Sequence, residues 1–244
     1  MEEQDYATTY RLEGENWWFV GTRRICREWL ERCGARGPIL DVGCGTGINM
    51  DMLDELGPTT GIDVSAIALR FCGDRGRSDL VQAAGQRLPF PDGSFGLVAA
   101  IDVVEHIEAD QDAVAEWARV VAPGGHVLVF TSAYQWMWSG HDVTNHHARR
   151  YRASEVRALL EGAGLVDVRV SHANMFLFPP IAVLRLIQRL VRRGQAPAPH
   201  KDTAEVPEVV NRLLTGLLAV EARLLRHVDL PVGVSIAASG RRPT

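Results

Sequence analysis

Leu40-Asp41-Val42-Gly43-Cys44-Gly45-Thr46-Gly47 is the stretch on which the reading of this chain turns. A short apolar run ends in three glycines spaced by single residues. A helical pattern follows at 48–56, with apolar Met52, Leu53 and Leu56 recurring on one side. Glycines at such a turn let the backbone bend sharply and approach a ligand with no Cβ in the way. Outward from there, strand-like runs at 59–64, 80–83, 95–103, 126–132 and 165–170 alternate with helix-like stretches. Ser65 is a cap for the helix after the second strand, and Ser154 is cap-like for a helix at 154–164. The run 95–103 is almost wholly apolar, as a parallel strand covered on both faces should be. The helix at 109–121 stops at Pro123-Gly124-Gly125. Strands and helices alternating in this way predict right-handed crossovers and an open α/β sheet, mainly parallel, with helices on both faces. A late run at 232–239 makes a seventh strand.

Composition fits one globular unit. The chain has 244 residues, 46% hydrophobic and 23% charged, with a formal net charge of −4. These values exclude a disordered chain, a collagen-like repeat and a disulfide scaffold. No bulk positive field points to nucleic acid. The four cysteines, Cys26, Cys33, Cys44 and Cys72, form no CxxC pair and read as reduced thiols. The acidic opening Met1-Glu2-Glu3-Gln4-Asp5 is unlike a signal peptide, so a cytoplasmic protein is expected. The longest apolar stretch, 175–191, contains Pro179, Pro180, Arg185, Gln188 and Arg189 and cannot cross a bilayer as a plain helix. We expect a single domain over 1–244: an N-terminal cap at 1–37, a core at 38–173, a helical insertion at 174–230, and the last strand and tail at 231–244. An extended joint at 195–202 separates the two insertion helices, near 181–192 and 206–227.

Asp63 ends the second strand twenty positions after Gly43, where a carboxylate meets the two hydroxyls of a ribose. The glycine spacing is GxGxG, and Ile48 stands where a dinucleotide fingerprint needs a small residue. Asp41, just before the loop, would oppose a pyrophosphate. A ligand carrying a ribose, a cationic sulfonium and an ammonium group suits this loop better.

The chain resembles the class I S-adenosylmethionine-dependent methyltransferases, in the small-molecule branch that includes quinone-biosynthesis enzymes. The resemblance rests on residues 40–47, Gly61-Ile62-Asp63-Val64-Ser65, Leu88-Pro89-Phe90-Pro91-Asp92-Gly93-Ser94-Phe95, Asp102-Val103-Val104-Glu105-His106-Ile107 and Pro123-Gly124-Gly125. It covers residues 38–172 and the last strand, and it implies a Rossmann-like fold with a helical N-terminal lid. By the same resemblance, Gly43, Gly45 and Gly47 line the methionine portion of S-adenosylmethionine, with Asp41 in the same set. Asp63 takes the ribose, Val64 one face of the adenine, and Gly85 and Gln86 the adenine edge. Asp102 and Val103 lie beside the sulfonium, and Arg23 reaches the cofactor carboxylate. Two positions depart from the pattern: the family usually carries acids where this chain has Ala84 and Gly96.

The segment 132–151 gathers Tyr134, Trp136, Trp138, His141, Asp142, His146, His147, Arg149, Arg150 and Tyr151 just after the fifth strand. Ligands in open α/β sheets bind beyond the carboxyl ends of the strands. Three readings stand. His141, Asp142 and His146 act as base and orienting groups toward an acceptor. Alternatively His141 and Asp142 with His146 or His147 hold a divalent metal, which is not expected. Or the loop is solvated and carries a structural His–Asp pair. Tyr134, Trp138, Arg149, Arg150 and Tyr151 are the acceptor candidates here, with Trp18 from the N-terminal cap. Arg149 and Arg150 clamp an anionic group or make surface ion pairs. His106 reads as structural at the rim. Trp17, Trp18 and Phe19 close over the ligand or anchor their helix.

Residues 175–193 alternate apolar positions with four arginines. Core packing is the simplest reading; an interfacial membrane helix, a lid and a dimer contact remain open. The expected function is methyl transfer to a small organic acceptor on O, N or C, by a monomer or homodimer. An S-adenosylmethionine-binding scaffold that transfers nothing is the alternative. The acidic balance, and the absence of an Asn-Pro-Pro-Tyr type motif after strand four, speak against nucleic-acid or protein substrates.

Overall fold

The computed structural model describes residues 3–192, 196–198 and 206–244. The expected joint at 195–202 lies, apart from 196–198, outside the described residues. Two helices open the chain, α1 (Glu3–Leu12) and α2 (Trp17–Cys33). The alternating core follows: β1 (Ile39–Val42), α3 (Ile48–Asp54), β2 (Thr59–Asp63), α4 (Ala66–Asp74), β3 (Leu80–Gln82), β4 (Phe95–Ile101), α5 (Asp110–Val120) and β5 (Val121–Ser132). Then come α6 (Gly140–Thr144), α7 (Ala153–Gly162), β6 (Val166–Ala173), α8 (Phe178–Arg192), α9 (Glu208–Leu225) and β7 (Ser235–Arg241). The strands form one seven-stranded sheet in the order β3-β2-β1-β4-β5-β7-β6. β1 to β5 are parallel, and β7 inserts antiparallel between β5 and β6. The mainly parallel, Rossmann-like sheet is therefore as expected.

The period of two along each strand sorts the core into two layers. Leu40, Val42, Val98, Ala100, Val127 and Val129 pack with α5 and α7, through Val114, Trp117, Val156 and Leu160. Their neighbours Ile39, Leu97, Ala99, Leu128 and Phe130 pack with α2 and α9, through Ile25, Trp29, Leu30, Ala222 and Leu225. The N-terminal cap and the second insertion helix thus build one face of the sheet. Asn211 of α9 fixes the start of α2, accepting from the Trp17 amide at 2.8 Å and donating to the Glu15 carbonyl at 2.9 Å.

Three local expectations need correction. β5 runs through Pro123-Gly124-Gly125 rather than starting after it, and its register against β4 shifts between Phe95 and Leu97. The capping position of α7 is Arg152, whose amide donates to Glu155 Oε2 at 2.7 Å; Ser154 lies inside the first turn. α8 is not a core-packing helix, because most of its large apolar side chains face outward. Among the described residues no helix is long and apolar enough to cross a membrane.

Candidate active site

β1 delivers the chain into the glycine loop with all four of its residues buried. Gly43 and Gly45 sit at φ 66° and 57°, a left-handed backbone that favours glycine. A Cβ on Gly43 would lie 2.6 Å from Val103 Cγ2, so Val103 packs directly on the loop. A Cβ on Gly45 would meet nothing closer than 4.0 Å, so this part of the loop faces open space. Asp63 binds the loop to the second strand: Oδ2 accepts from the Gly45 amide at 3.0 Å and Oδ1 from the Ser65 amide at 2.8 Å. Ser65 caps α4, as expected, by accepting from the Ala68 amide at 3.3 Å. Each Asp63 oxygen keeps a lone pair for a ribose hydroxyl. Asp63→Ala should weaken S-adenosylmethionine binding about tenfold or more, since hydrogen bonds to a charged group are worth roughly 1.5–3 kcal/mol each. Isothermal titration on a variant with a native melting curve checks this; unchanged affinity removes Asp63 from the site.

Asp41 lies under the loop at 1% exposure, and its Oδ2 has no hydrogen-bond partner. Burial, then the charge of Asp63, pushes its carboxyl up to about 8. An orphaned buried carboxyl beside a cradle open at Gly45 fits a cationic ligand end. A raised acid pKa means the folded chain holds a proton that the unfolded chain releases above its ordinary value of 3.8. Between about pH 4 and 8 this group therefore costs stability as pH rises, by up to about 1.4 kcal/mol per unit. Asp41→Asn should flatten that slope in thermal melts across the window; an unchanged slope contradicts the assignment.

The N-terminal helices cover the loop from above. Tyr6 of α1 is buried, with the Ser65 side chain as its hydrogen-bond partner and the Asp63 charge nearby; burial pushes its phenol up. Buried Glu13 accepts from Thr46 Oγ1 in the glycine loop and from Arg75 Nη2 at 2.6 Å. Arg75 in turn donates to the Thr46 carbonyl at 2.9 Å. Tyr6, Glu13 and Arg75 escaped the sequence reading because their partners are distant in the chain and Glu13 is spelled among ordinary surface residues. Arg23 donates to the Glu13 carbonyl at 2.6 Å and lines a surface cleft with Ile48 and Asp51 of α3. On the far side Val64 is exposed and Gln86 is exposed, while Gly85 is held by its carbonyl, which accepts from Trp117 Nε1 at 2.9 Å. Asp102, at the carboxyl end of β4, is exposed and holds a left-handed φ of 55°. Such strain in a non-glycine residue concentrates at functional sites.

The cluster after β5 divides. Asp142 is fully buried and saturated: it accepts from the Ser139 amide at 2.8 Å, His147 Nδ1 at 2.9 Å, Arg150 Nε at 2.7 Å and Arg150 Nη2 at 2.9 Å. These donors outweigh burial and hold its carboxyl well below the usual range. Of the base and orienting groups expected here, Asp142 has the geometry of an orienting group: it holds Arg150 and His147. His146 is exposed at φ 55°, and its backbone hydrogen-bonds the His106 side chain. His147 instead stacks edge-on with His106 at 4.7 Å and with His141 at 5.9 Å. His106 thereby joins the cluster. Among the described residues no three His, Cys, Asp or Glu side chains converge as a metal site. Tyr151 is buried and donates to Asp110 Oδ2 at 2.8 Å, and Arg149 pairs with the same carboxylate at 3.1 Å, the ion-pair arrangement that is one of the two readings of that arginine. The Tyr134 hydroxyl meets His172 Nε2 at 2.9 Å, and Trp138 is half-buried before α6.

Three expected residues do converge. Trp18, His141 and Arg150 line one cavity of about 340 Å³, together with Asn16, Trp17, Ser132 and Ser235. Leu177, Ile181, Leu184 and Arg185 close it from α8 and its approach, and Leu214 closes it from α9. Ser132 ends β5, so the cavity opens at the carboxyl edge of the sheet that also carries the glycine loop. The insertion residues were legible as apolar but not as cavity wall, which depends on how α8 folds back.

Comparisons with known proteins agree with this fold. A methyltransferase domain family model matches residues 40–129. A probable S-adenosylmethionine-dependent methyltransferase of Mycobacterium tuberculosis is 32% identical over 161 residues, 64% of this chain; the alignment spans 58% of that relative's length. A probable S-adenosylmethionine-dependent methyltransferase of Mycolicibacterium smegmatis is 31% identical over 209 residues, covering 78% of this chain and 77% of the relative. The solved structure of a methyltransferase from Archaeoglobus fulgidus shares the fold, with a TM-score of 0.56 at 17% identity over 90% of this chain and 94% of that one. With its glycine cradle, the Asp63 carboxylate at the rim and these relatives, the chain belongs to the class I S-adenosylmethionine-dependent methyltransferases.

Proposed function

We propose that the protein transfers a methyl group from S-adenosylmethionine to a small organic acceptor with an apolar body. The observation that carries this is the cavity at the carboxyl edge of the sheet, walled by Trp17, Trp18, Leu177, Ile181 and Leu214, with His141 and Arg150 among the polar groups that enter it. When bound, S-adenosylmethionine supplies an electrophilic methyl on a sulfonium. The chain's own part is placement and proton handling. The tryptophans and leucines exclude water from the acceptor. His141 takes the proton that an acceptor hydroxyl or amine gives up, and the Asn145 amide lies 2.9 Å from its Nε2. Arg150, held by Asp142, presents a fixed cation to an anionic substituent of the acceptor. Such an acceptor belongs to lipid-like or quinone-like chemistry.

Incubation with S-adenosylmethionine and a panel of apolar phenols, catechols and amines, read by mass spectrometry, tests the proposal. The expected product is heavier by one methyl replacing one hydrogen, with S-adenosylhomocysteine formed in equal amount. Tight cofactor binding with no transfer to any acceptor would favour the scaffold alternative instead.

A further inference from the structure

α8 is amphipathic in the opposite sense from a helix that covers a core. Ile181, Ala182, Arg185 and Gln188 turn inward, and Arg185 is only 7% exposed in the cavity wall. The other side carries Val183, Leu186, Ile187, Leu190 and Val191, with Ile187 53%, Leu190 77% and Val191 75% exposed. α9 adds Val209, Leu213, Val220 and Leu224, which recur on one helical face and are also exposed. Leu184 both lines the cavity and is exposed, so the cavity's apolar wall runs out into this surface.

The charges around the patch say what covers it. Residues 178–193 hold four arginines and no acid, in a chain of net charge −4; Arg185 is taken up in the cavity wall, Arg189 of α8 and Arg223 of α9 are exposed, and the exposed Glu208 of α9 is paired with Arg212. A second copy seated here about a two-fold axis would bring this arginine-rich helix against its own like, a repulsive arrangement. An anionic lipid surface satisfies both parts, taking the apolar side chains between acyl chains and the exposed Arg189 guanidinium among headgroups. We propose that the outer faces of α8 and α9 dock this protein on an anionic lipid surface, with the mouth of the acceptor cavity at the lipid.

Sedimentation of the full chain with vesicles of phosphatidylglycerol and phosphatidylcholine tests this without cofactor or acceptor, and so independently of methyl transfer. Binding should require phosphatidylglycerol and weaken as salt rises. The double variant I187E/L190E should bind about tenfold or more weakly, each exposed side chain losing its burial in lipid. Its melting temperature and S-adenosylmethionine affinity should be unchanged, since neither residue touches the core or the glycine loop. Arg189→Glu should reduce the dependence on phosphatidylglycerol. No binding at low salt, or equal binding by I187E/L190E, overturns the proposal. So does a stable dimer that the double variant dissociates, because the face then belongs to a second copy.

Discussion

His141→Ala should lower kcat by about a hundredfold or more while leaving S-adenosylmethionine affinity nearly intact. His141 is the one histidine of its loop that lines the acceptor cavity. Its ring lies edge-on to His147, whose Nδ1 is held by the buried Asp142 carboxylate at 2.9 Å. These groups stand on the segment after β5 rather than on the glycine loop, so cofactor binding reports on folding while kcat reports on proton transfer. His146→Ala, at an exposed position outside the cavity, should retain full activity. If His141→Ala is as active as wild type on an acceptor with an ionisable hydroxyl, the base lies elsewhere or the acceptor arrives deprotonated.

The strengths and failures of the sequence reading have one physical origin. The glycine loop, Asp63 and the Ser65 cap are local devices: their meaning depends on neighbours within a few residues and a strand on either side. The structure keeps all three. The cluster at 141–151 is also spelled locally, but its chemistry is tertiary. Asp142 looks available for catalysis and Tyr151 for an acceptor until Arg150, His147 and Asp110 are seen to bond them. For α8 the helical period is plain in the sequence, whereas the side that turns inward is set by what the helix folds against. Arg185 inside and Leu190 outside reverse the usual rule. Glu13 and Tyr6 contact the site from more than thirty residues away, beyond the range of any local signal.

The two acids that the family usually carries and this chain lacks should behave oppositely when restored. Gly96 is the second residue of β4, and its amide donates to the Pro38 carbonyl at 2.8 Å. A Cβ there would lie 2.1 Å from the Arg36 carbonyl oxygen and 3.2 Å from Gly37 Cα. Both obstacles are backbone, so no side-chain rotation relieves them; the 36–38 turn must move, and β1 begins immediately after it. Gly96→Asp should cost about 3 kcal/mol or more, in the range of overpacking and strain at a constrained site. For a chain of this size that is a fall of roughly 6–12 °C in melting temperature. Ala84 is exposed beside Gly85 and Gln86, so Ala84→Asp should leave stability within about 0.5 kcal/mol of wild type. It should also tighten S-adenosylmethionine binding by supplying an acceptor at the adenine edge. The loss at 96 is then a consequence of how closely the 36–38 turn crosses β4, and the loss at 84 is a missing ligand contact. Equal melting temperatures for the two variants would remove the steric account of Gly96.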